Sequence, residues 1–86
     1  MKKLTILITD WCPYCKRALK WVDELKEEDS RFKNIEVTII DEEKEPELSK
    51  KFDYYYVPTY YVGDIKLHEG ATVKEQLIEA LEEALK

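Results

Sequence analysis

Cys12-Pro13-Tyr14-Cys15 contains both cysteines of the chain and stands where a strand pattern gives way to a helical one. Two thiols separated by two residues can close a disulfide and open it again, which suits redox chemistry. A disulfide between them would close a ring of only four residues, which is too local to staple a fold. The pair therefore indicates disulfide exchange rather than an architectural role.

The residues on either side of this motif predict a strand followed by a helix. Leu4 to Thr9 is mostly apolar, as expected of a strand that is covered on both faces. From Pro13 onward, apolar residues recur at steps of three and four, with charged residues on the opposite face. These apolar positions are Cys15, Ala18, Leu19, Val22 and Leu25. Pro13 suits the first helical position, because an N–H there would have no helical partner.

A second strand and a short helix are predicted in the middle of the chain. Ile35 to Ile40 is rich in β-branched residues, with Ile35, Val37 and Ile39 expected on one face. A weakly amphipathic helix is expected within Asp41 to Phe52, opened by Pro46. Strand, helix and strand at this spacing form a right-handed crossover, so the first two strands should be parallel.

The last third of the chain predicts a hairpin and a closing helix. Thr59 to Val62 and Ile65 to Glu69 are short strand patterns joined by Gly63-Asp64, whose glycine accepts the positive φ of a hairpin turn. Thr72 to Glu75 has the pattern of a capping box, in which Thr72 would begin the helix. The apolar stripe of this helix comprises Val73, Leu77, Ile78, Leu81 and Leu85.

The predicted order is β-α-β-α-β-β-α, an α/β fold in a single domain spanning residues 1–86. We expect a four-stranded mixed sheet with helices on both faces. The first two strands should be parallel to each other, and the third and fourth antiparallel to them.

Composition excludes several classes of function. The formal net charge is −5, whereas a nucleic-acid surface needs clustered Lys and Arg, so no nucleic-acid partner is expected. No stretch approaches the roughly 18 consecutive apolar residues of a membrane span, and no membrane association is expected. Asp10 ends the first apolar run too early for a signal peptide, so we expect a cytoplasmic protein.

The two cysteines are predicted to have different roles. Unpaired N–H groups at a helix start favour an anion, so Cys12 should ionise more readily than a free thiol and act as an exposed nucleophile. Cys15 begins the apolar stripe and should be the more buried, resolving thiol. Residues three apart on a helix have Cβ atoms about 5–6 Å apart, so a disulfide between them needs only local adjustment.

The segment from Cys12 to Ala18 resembles the active site of dithiol glutaredoxins of the CPYC type, within the thioredoxin superfamily. Val57-Pro58 before a strand and Gly70 before the last helix fall in the order that this family requires. The resemblance spans nearly the whole chain and implies a minimal thioredoxin fold. It also implies that the peptide bond before Pro58 is cis and that Pro58 faces the cysteines. The backbone of Val57 would then pair with the disulfide-bearing segment of the substrate.

The resemblance implies a thiol-disulfide oxidoreductase that reduces protein or glutathione mixed disulfides through Cys12 and Cys15. No tightly bound cofactor is expected, glutathione would be the co-substrate, and we expect a monomer. The predicted substrate-binding residues are Trp11, Pro13, Tyr14, Val57, Pro58, Gly70 and Thr72.

Several positions depart from the glutathione-binding pattern of that family. Thr9 stands where a Lys usually precedes the first cysteine by three residues, and Glu69 to Thr72 stands where Gly-Gly-x-Asp is usual. The chain therefore lacks the Lys that pairs with a glutathione carboxylate in that family. It also has Thr72 in place of the acidic residue that would meet the γ-glutamyl amine. A thioredoxin reductase is therefore the alternative electron donor. Such a reductase supplies the glutaredoxin-like redoxins that donate electrons to ribonucleotide reductase.

Aromatic residues are concentrated around the predicted site. Trp11 is similar to the Trp that precedes the cysteine in thioredoxins, and could contact a protein substrate or close the end of the strand. Tyr14 lies between the cysteines and should meet a bound disulfide. Five further tyrosines bracket Pro58, and we expect most to be packing or surface residues, with one ring lining a substrate groove. They are Tyr54, Tyr55, Tyr56, Tyr60 and Tyr61.

A binding module is the alternative from another class of function. Two thiolates at a helix start suit a soft metal such as Cu(I), or a cluster shared between two chains. With His68, predicted to be a surface strand residue, the cysteines make three ligands, one short of a closed zinc site. The acidic run Asp41 to Glu43 is interpreted as a solvated loop and helix start.

Overall fold

Four strands and three α-helices follow one another in the predicted order. The computed structural model describes all of residues 1–86. The elements are β1 (Leu4–Ile8), α1 (Pro13–Glu28), β2 (Val37–Asp41), α2 (Pro46–Ser49), β3 (Thr59–Val62), β4 (Ile65–Glu69) and α3 (Lys74–Leu85), with one 3-10 turn at Ser30–Phe32. The structure confirms the predicted α/β fold.

The strands form one mixed sheet in the order β2-β1-β3-β4. β1 pairs in parallel with β2, as the crossover predicts, and antiparallel with β3. β3 and β4 pair antiparallel through the hairpin at Gly63, whose φ is +58°. The expectation that β4 opposes the first two strands is therefore wrong. Because the hairpin reverses the chain, β4 runs in the same direction as β1.

Helices cover both faces of the sheet. On one face, alternate residues of β1 and β3 pack against α1 and α3 in the larger core. Its strand and helix members include Leu4, Ile6, Ile8, Tyr60, Val62, Ala18, Val22, Leu77 and Leu81. On the other face, Leu7, Ile40 and Tyr61 form a smaller cluster, which Phe52 and Tyr54 cover from the segment that follows α2. The β1 strand is thus buried on both sides, as its continuous apolar run predicts.

The buried stripe of α1 is also as predicted. Cys15, Ala18, Val22 and Leu25 are buried, and Pro13 occupies the beginning of the helix. The opposite face carries charged residues, which gives the amphipathic character of a surface helix. None of the helices is both long enough and apolar enough to cross a membrane.

β2 and α2 are shorter than their patterns indicate. β2 begins at Val37, because Ile35 lies in the preceding turn, where its N–H donates to the Phe32 carbonyl and its side chain packs in the core. Ile39 is exposed, since β2 is an edge strand. α2 spans only Pro46–Ser49, and Phe52 reaches the smaller core cluster from beyond its end.

The start of α3 differs from the predicted capping box by one residue. Val73, not Thr72, is the N-cap, and its N–H donates to Oε1 of Gln76 at 3.0 Å. The Thr72 hydroxyl is instead buried and lies 2.8 Å from the Tyr60 hydroxyl, within hydrogen-bonding distance. The Thr72 hydroxyl therefore interacts with Tyr60 on β3 instead of capping the helix as the local sequence predicts.

Two buried threonines provide a matched test of this hydrogen bond. Thr72→Val should lower the free energy of unfolding by about 1–3 kcal/mol, because it leaves the buried Tyr60 hydroxyl without its partner. Thr9→Val should not lower it and should raise it by up to about 1 kcal/mol, since valine replaces a buried hydroxyl that has no hydrogen-bond partner in the protein. Urea denaturation followed by circular dichroism measures both, and equal losses would contradict the assignment.

Candidate active site

The turn after β1 places Cys12 at the N-cap of α1. The Cys12 backbone is extended, and its Sγ accepts the backbone N–H of Cys15 at 3.4 Å. The Cys12 carbonyl accepts the N–H of Lys16 and so begins the helical ladder, while Pro13 needs no partner at the first position. The helix start therefore directs one N–H at the Cys12 sulfur, in the region where free amide groups favour negative charge.

The two sulfurs are buried to different depths. Cys15 is completely buried, whereas Cys12 is 6% exposed, and both are thiols rather than a disulfide. The prediction that Cys15 is the more buried thiol is confirmed. The expectation of an exposed Cys12 is wrong, because this residue packs into the larger core and its Sγ lies 4.0 Å from the Val57 carbonyl oxygen.

The Val57–Pro58 peptide bond is cis, as the resemblance implies. Pro58 is buried, and its carbonyl accepts the N–H of Gly70 at 2.9 Å. Gly70 has a φ of +89°, a conformation that favours glycine over residues with a side chain. The start of α1, the Val57-Pro58 segment and the Gly70 turn thus meet at one end of the sheet.

Burial raises the pKa of the Cys15 thiol to about 12, and the neighbouring Cys12 thiol adds to this effect. A backbone hydrogen bond involving Thr9 acts in the opposite direction and is outweighed. Cys15 is therefore held as a neutral thiol at neutral pH. A neutral thiol suits the predicted role of Cys15, which is to react only after Cys12 has formed a mixed disulfide.

A groove of about 490 Å³ opens beside Cys12. It is lined by Thr9, Trp11, Cys12, Tyr14, Glu42, Tyr55, Tyr56, Val57, Gly70 and Ala71. Five predicted site residues are among them, and four are not, namely Pro13, Cys15, Pro58 and Thr72. Cys15 and Pro58 lie beneath the surface. The predicted substrate contact by Thr72 is not seen, because its side chain is buried against Tyr60.

Exposed aromatic rings form much of the groove. Tyr55 is 84% exposed, Tyr56 70% and Trp11 67%. Two rings of the tyrosine-rich region, rather than the expected one, therefore line the groove. The others pack: Tyr60 and Tyr61 are buried, and Tyr54 donates to Oε1 of Glu42 at 2.9 Å. The pKa of Tyr54 is raised to about 12, mainly because the hydroxyl is removed from water and secondly because it donates to Glu42.

Polar contacts hold two of the groove's aromatic residues in place. The Trp11 indole N–H donates to Oε1 of Glu43 at 3.0 Å. The Arg17 guanidinium lies over the rings of Tyr14 and Trp21, at 5.1 and 4.7 Å from their centroids. The same guanidinium donates to the Thr72 carbonyl at 2.9 Å, so it connects α1 to the turn before α3. The aromatic walls are therefore tied to the elements that carry the cysteines and Gly70.

Glu69 fastens the segment that leads to the cis proline. Its Oε2 accepts the backbone N–H groups of Tyr55 and Tyr56, and its Oε1 lies 2.8 Å from the Lys66 ammonium. The bond from Lys66, together with these two amide donors, lowers the pKa of Glu69 to about 2. From the sequence alone, Glu69 is the last residue of a strand pattern and a departure from a family motif, and nothing local shows that it contacts residues on another segment.

Glu69→Gln should make stability less sensitive to acid. Because the folded-state pKa is below the ordinary 4.5, the carboxylate contributes stability above about pH 4.5, which is lost as the pH falls towards 2. The difference in unfolding free energy between wild type and variant should therefore shrink over this window. Urea denaturation at stepped pH measures it. The control is Glu47→Gln, an exposed carboxylate on α2, and a pH-independent difference for Glu69→Gln would contradict the assignment.

Glu42 is a groove residue that sequence analysis missed. The acidic run predicts a solvated loop at this position, but Glu42 directly follows β2, and its N–H donates to the Ile8 carbonyl at the end of β1. β1 and β2 are parallel, so their carboxyl ends share one edge of the sheet. That rule was the available signal: residues after β2 should lie near the cysteine motif after β1.

The structure contains no group of three or more His, Cys, Asp or Glu side chains that could hold a metal ion. His68 is more buried than a surface strand residue, with its ring edge-on to Tyr60 and its Nε2 3.5 Å from Oε2 of Glu79. A metal bound by Cys12 and Cys15 would therefore need ligands from outside this chain.

A mixed four-stranded sheet with a dithiol at the start of its first helix, opposite a cis proline, defines a thioredoxin-like protein. The chain belongs to the thioredoxin domain family, whose model matches residues 2–83. Members of this fold family are generally oxidoreductases, and the two adjacent cysteines indicate a thiol redox function. The superfamily prediction is confirmed at this level.

Several solved structures share this fold at low sequence identity. A malarial protein has a TM-score of 0.70 at 21% identity, covering 96% of each chain. The germline-specific thioredoxin Deadhead of Drosophila melanogaster has a TM-score of 0.66 at 22% identity, covering 95% of this chain and 81% of that one. The structure of the first two thioredoxin domains of Saccharomyces cerevisiae Eps1p has a TM-score of 0.63 at 24% identity. The match covers 96% of this chain and 36% of that one. No curated protein matches the sequence significantly.

Proposed function

We propose that this protein is a thiol-disulfide oxidoreductase that reduces disulfides in proteins, or glutathione mixed disulfides, through Cys12 and Cys15. The observation that carries the proposal is the position of Cys12. Its sulfur lines an open groove, lies 4.0 Å from the Val57 carbonyl and has the Cys15 thiol directly behind it in the first turn of α1. A substrate sulfur that enters the groove would meet Cys12 first.

The reaction has two exchange steps. The Cys12 thiolate attacks one sulfur of the substrate disulfide, forming a mixed disulfide, and the other substrate sulfur leaves as a thiolate that takes a proton from solvent. Cys15 then loses its proton and attacks the Cys12 sulfur. The product is a Cys12–Cys15 disulfide and a second substrate thiol. The substrate disulfide is thereby reduced by two electrons, and the protein dithiol is oxidised by the same two.

Burial determines which cysteine begins. Cys15 is fully buried with a pKa of about 12, so it does not compete for an incoming disulfide. Cys12 lies at the start of the helix, where its sulfur accepts the Cys15 N–H, and it lines the groove, so an incoming disulfide reaches Cys12 first. The Val57 backbone next to Cys12 would pair with the substrate segment, as the glutaredoxin resemblance implies.

We favour a thioredoxin reductase over glutathione as the electron donor. Glutathione carries two carboxylates, and no Lys or Arg is among the residues lining the groove. Thr9, which replaces the usual Lys, is buried, and the Thr72 hydroxyl faces Tyr60 instead of the groove. Glutathione therefore remains the second candidate co-substrate. In either case we propose a cytoplasmic monomer without a tightly bound cofactor, since a dithiol reductase works in a reducing compartment.

The donor assay tests this function. Reduction of insulin disulfides is followed with NADPH and a thioredoxin reductase from the same organism, and separately with glutathione and glutathione reductase. We expect the first system to exceed the second by at least about tenfold. The reverse order would identify glutathione as the donor. Absence of activity in both, together with stoichiometric Cu(I) or a cluster in the purified protein, would overturn the proposal in favour of the binding module.

A further inference from the structure

The groove beside Cys12 combines aromatic rings with a single negative charge. Glu42 is its only charged lining residue, alongside the exposed rings of Trp11, Tyr55 and Tyr56. The Tyr54 hydroxyl donates to Glu42 Oε1 at 2.9 Å and so holds the carboxylate in position. Glu42 makes no ion pair within the protein, so its charge is available to a bound molecule.

No Lys or Arg lines the groove, and three of the cations around it have partners of their own. Lys44 lies 3.6 Å from the Asp10 carboxylate, and Lys66 is paired with Glu69. Arg17 lies over the rings of Tyr14 and Trp21 and is hydrogen-bonded to the Thr72 carbonyl, so it does not line the groove. Lys50 lines a neighbouring depression with Glu42 but forms no ion pair with it. The groove therefore presents negative charge next to aromatic faces.

This combination suits a Lys or Arg side chain. An ammonium or guanidinium is attracted to the faces of Trp and Tyr rings, and forms a charge-assisted hydrogen bond with a carboxylate. An acidic side chain would meet like charge at Glu42, and an apolar side chain would gain ring contact alone. Charge complementarity therefore selects among peptide segments that bring a disulfide to Cys12.

We propose that the groove selects protein and peptide disulfides in which a Lys or Arg adjoins the attacked cysteine, with Glu42 and the neighbouring rings holding the cationic side chain. This inference rests on the proposed disulfide reduction, because the substrate cysteine must reach Cys12. Glu42 is also close enough to the dithiol for its charge to contribute to the raised pKa of Cys15. A bound cation would offset that charge while the substrate is in place.

A peptide series tests the selectivity without depending on the electron donor. Three disulfide-linked peptide homodimers differ only in the residue next to the cysteine, which is Lys, norleucine or Glu. Reduced protein is mixed with each in single-turnover experiments quenched with acid, and products are separated by chromatography. Rates are divided by the rate with dithiothreitol, which corrects for the intrinsic reactivity of each disulfide. The Lys peptide should react about fivefold faster than the norleucine peptide, and the Glu peptide slowest.

Two variants locate the selectivity. Glu42→Gln retains an oxygen that can accept from Tyr54 but removes the charge, and should abolish most of the preference for Lys. Glu47→Gln removes an equivalent charge from exposed α2, away from the groove, and should leave the preference intact. The preference should also weaken between about 0.05 M and about 0.5 M NaCl, because salt screens exposed charges.

The outcomes separate the two levels of the hypothesis. Equal corrected rates for the three peptides, faster reaction of the norleucine peptide, or an undiminished Lys preference in Glu42→Gln would overturn the selectivity while leaving disulfide reduction in place. No reaction with any peptide would instead overturn the proposed function itself.

Discussion

Cys12→Ser should eliminate disulfide reduction, with a rate lowered by more than about a thousandfold, because a serine hydroxyl is scarcely nucleophilic at neutral pH. The substitution is nearly isosteric, and the new hydroxyl can still accept the Cys15 N–H that now reaches the sulfur. The fold should therefore be preserved, which circular dichroism and urea denaturation verify. Insulin reduction and single-turnover peptide reduction measure the loss.

Cys15→Ser is the matched variant. It retains the first attack but cannot resolve the mixed disulfide, so the protein should accumulate as a covalent adduct with its substrate, detectable by mass spectrometry. If glutathione is the natural donor, this variant should still reduce glutathione mixed disulfides, in which a second glutathione performs the resolution. Turnover by Cys12→Ser, or an adduct on Cys15 in that variant, would reject the assigned roles.

Leu81→Ala should lower the free energy of unfolding by about 2–5 kcal/mol, because it opens a cavity where α3 meets the larger core. Leu81 is completely buried. A domain of this length has a total stability of roughly 4–13 kcal/mol, so the substitution should remove a large share of it and lower both the thermal and the urea midpoint. Thermal and urea denaturation followed by circular dichroism measure the change.

The control for Leu81→Ala makes the same substitution at Leu48 on α2, which is 38% exposed. Leu48→Ala should cost less than about 1 kcal/mol, since more than a third of the side chain is already exposed to water and Leu48 belongs to neither core cluster. Comparable losses of unfolding free energy in the two variants would contradict this prediction. They would show that the packing of α3 against the sheet contributes far less to stability than the burial of Leu81 indicates.

The fold was predictable because its signals are local. The apolar run of β1, the helical spacing after Pro13 and the turn at Gly63 each specify an element without reference to distant residues. The parallel pairing of β1 and β2 follows from the handedness of the crossover. The ends of elements were less predictable, because a partner far along the chain decided them. Thr72 is the clearest example, since its hydroxyl faces Tyr60 on β3 instead of capping α3.

The candidate site was predictable in its chemistry but not in its surroundings. The spacing of Cys12 and Cys15 identified the sulfurs and their order of burial. The depth of Cys12 was not predictable, since it depends on Val57, a residue 45 positions away. The charge and shape of the groove likewise come from Glu42 and Tyr55, which neighbour the dithiol only after the chain has folded.

The Lys2 N–H donates to the Ala84 carbonyl at 2.6 Å, which places the two chain termini side by side. β1 runs from this point towards Cys12, and α3 runs back to it from the turn after Gly70, so both termini lie at the end of the domain opposite the dithiol. A tag, a surface linker or a fused partner can therefore be attached at either terminus without obstructing substrate entry. The same proximity makes the domain a suitable template for circular permutation, with a short peptide joining the present ends.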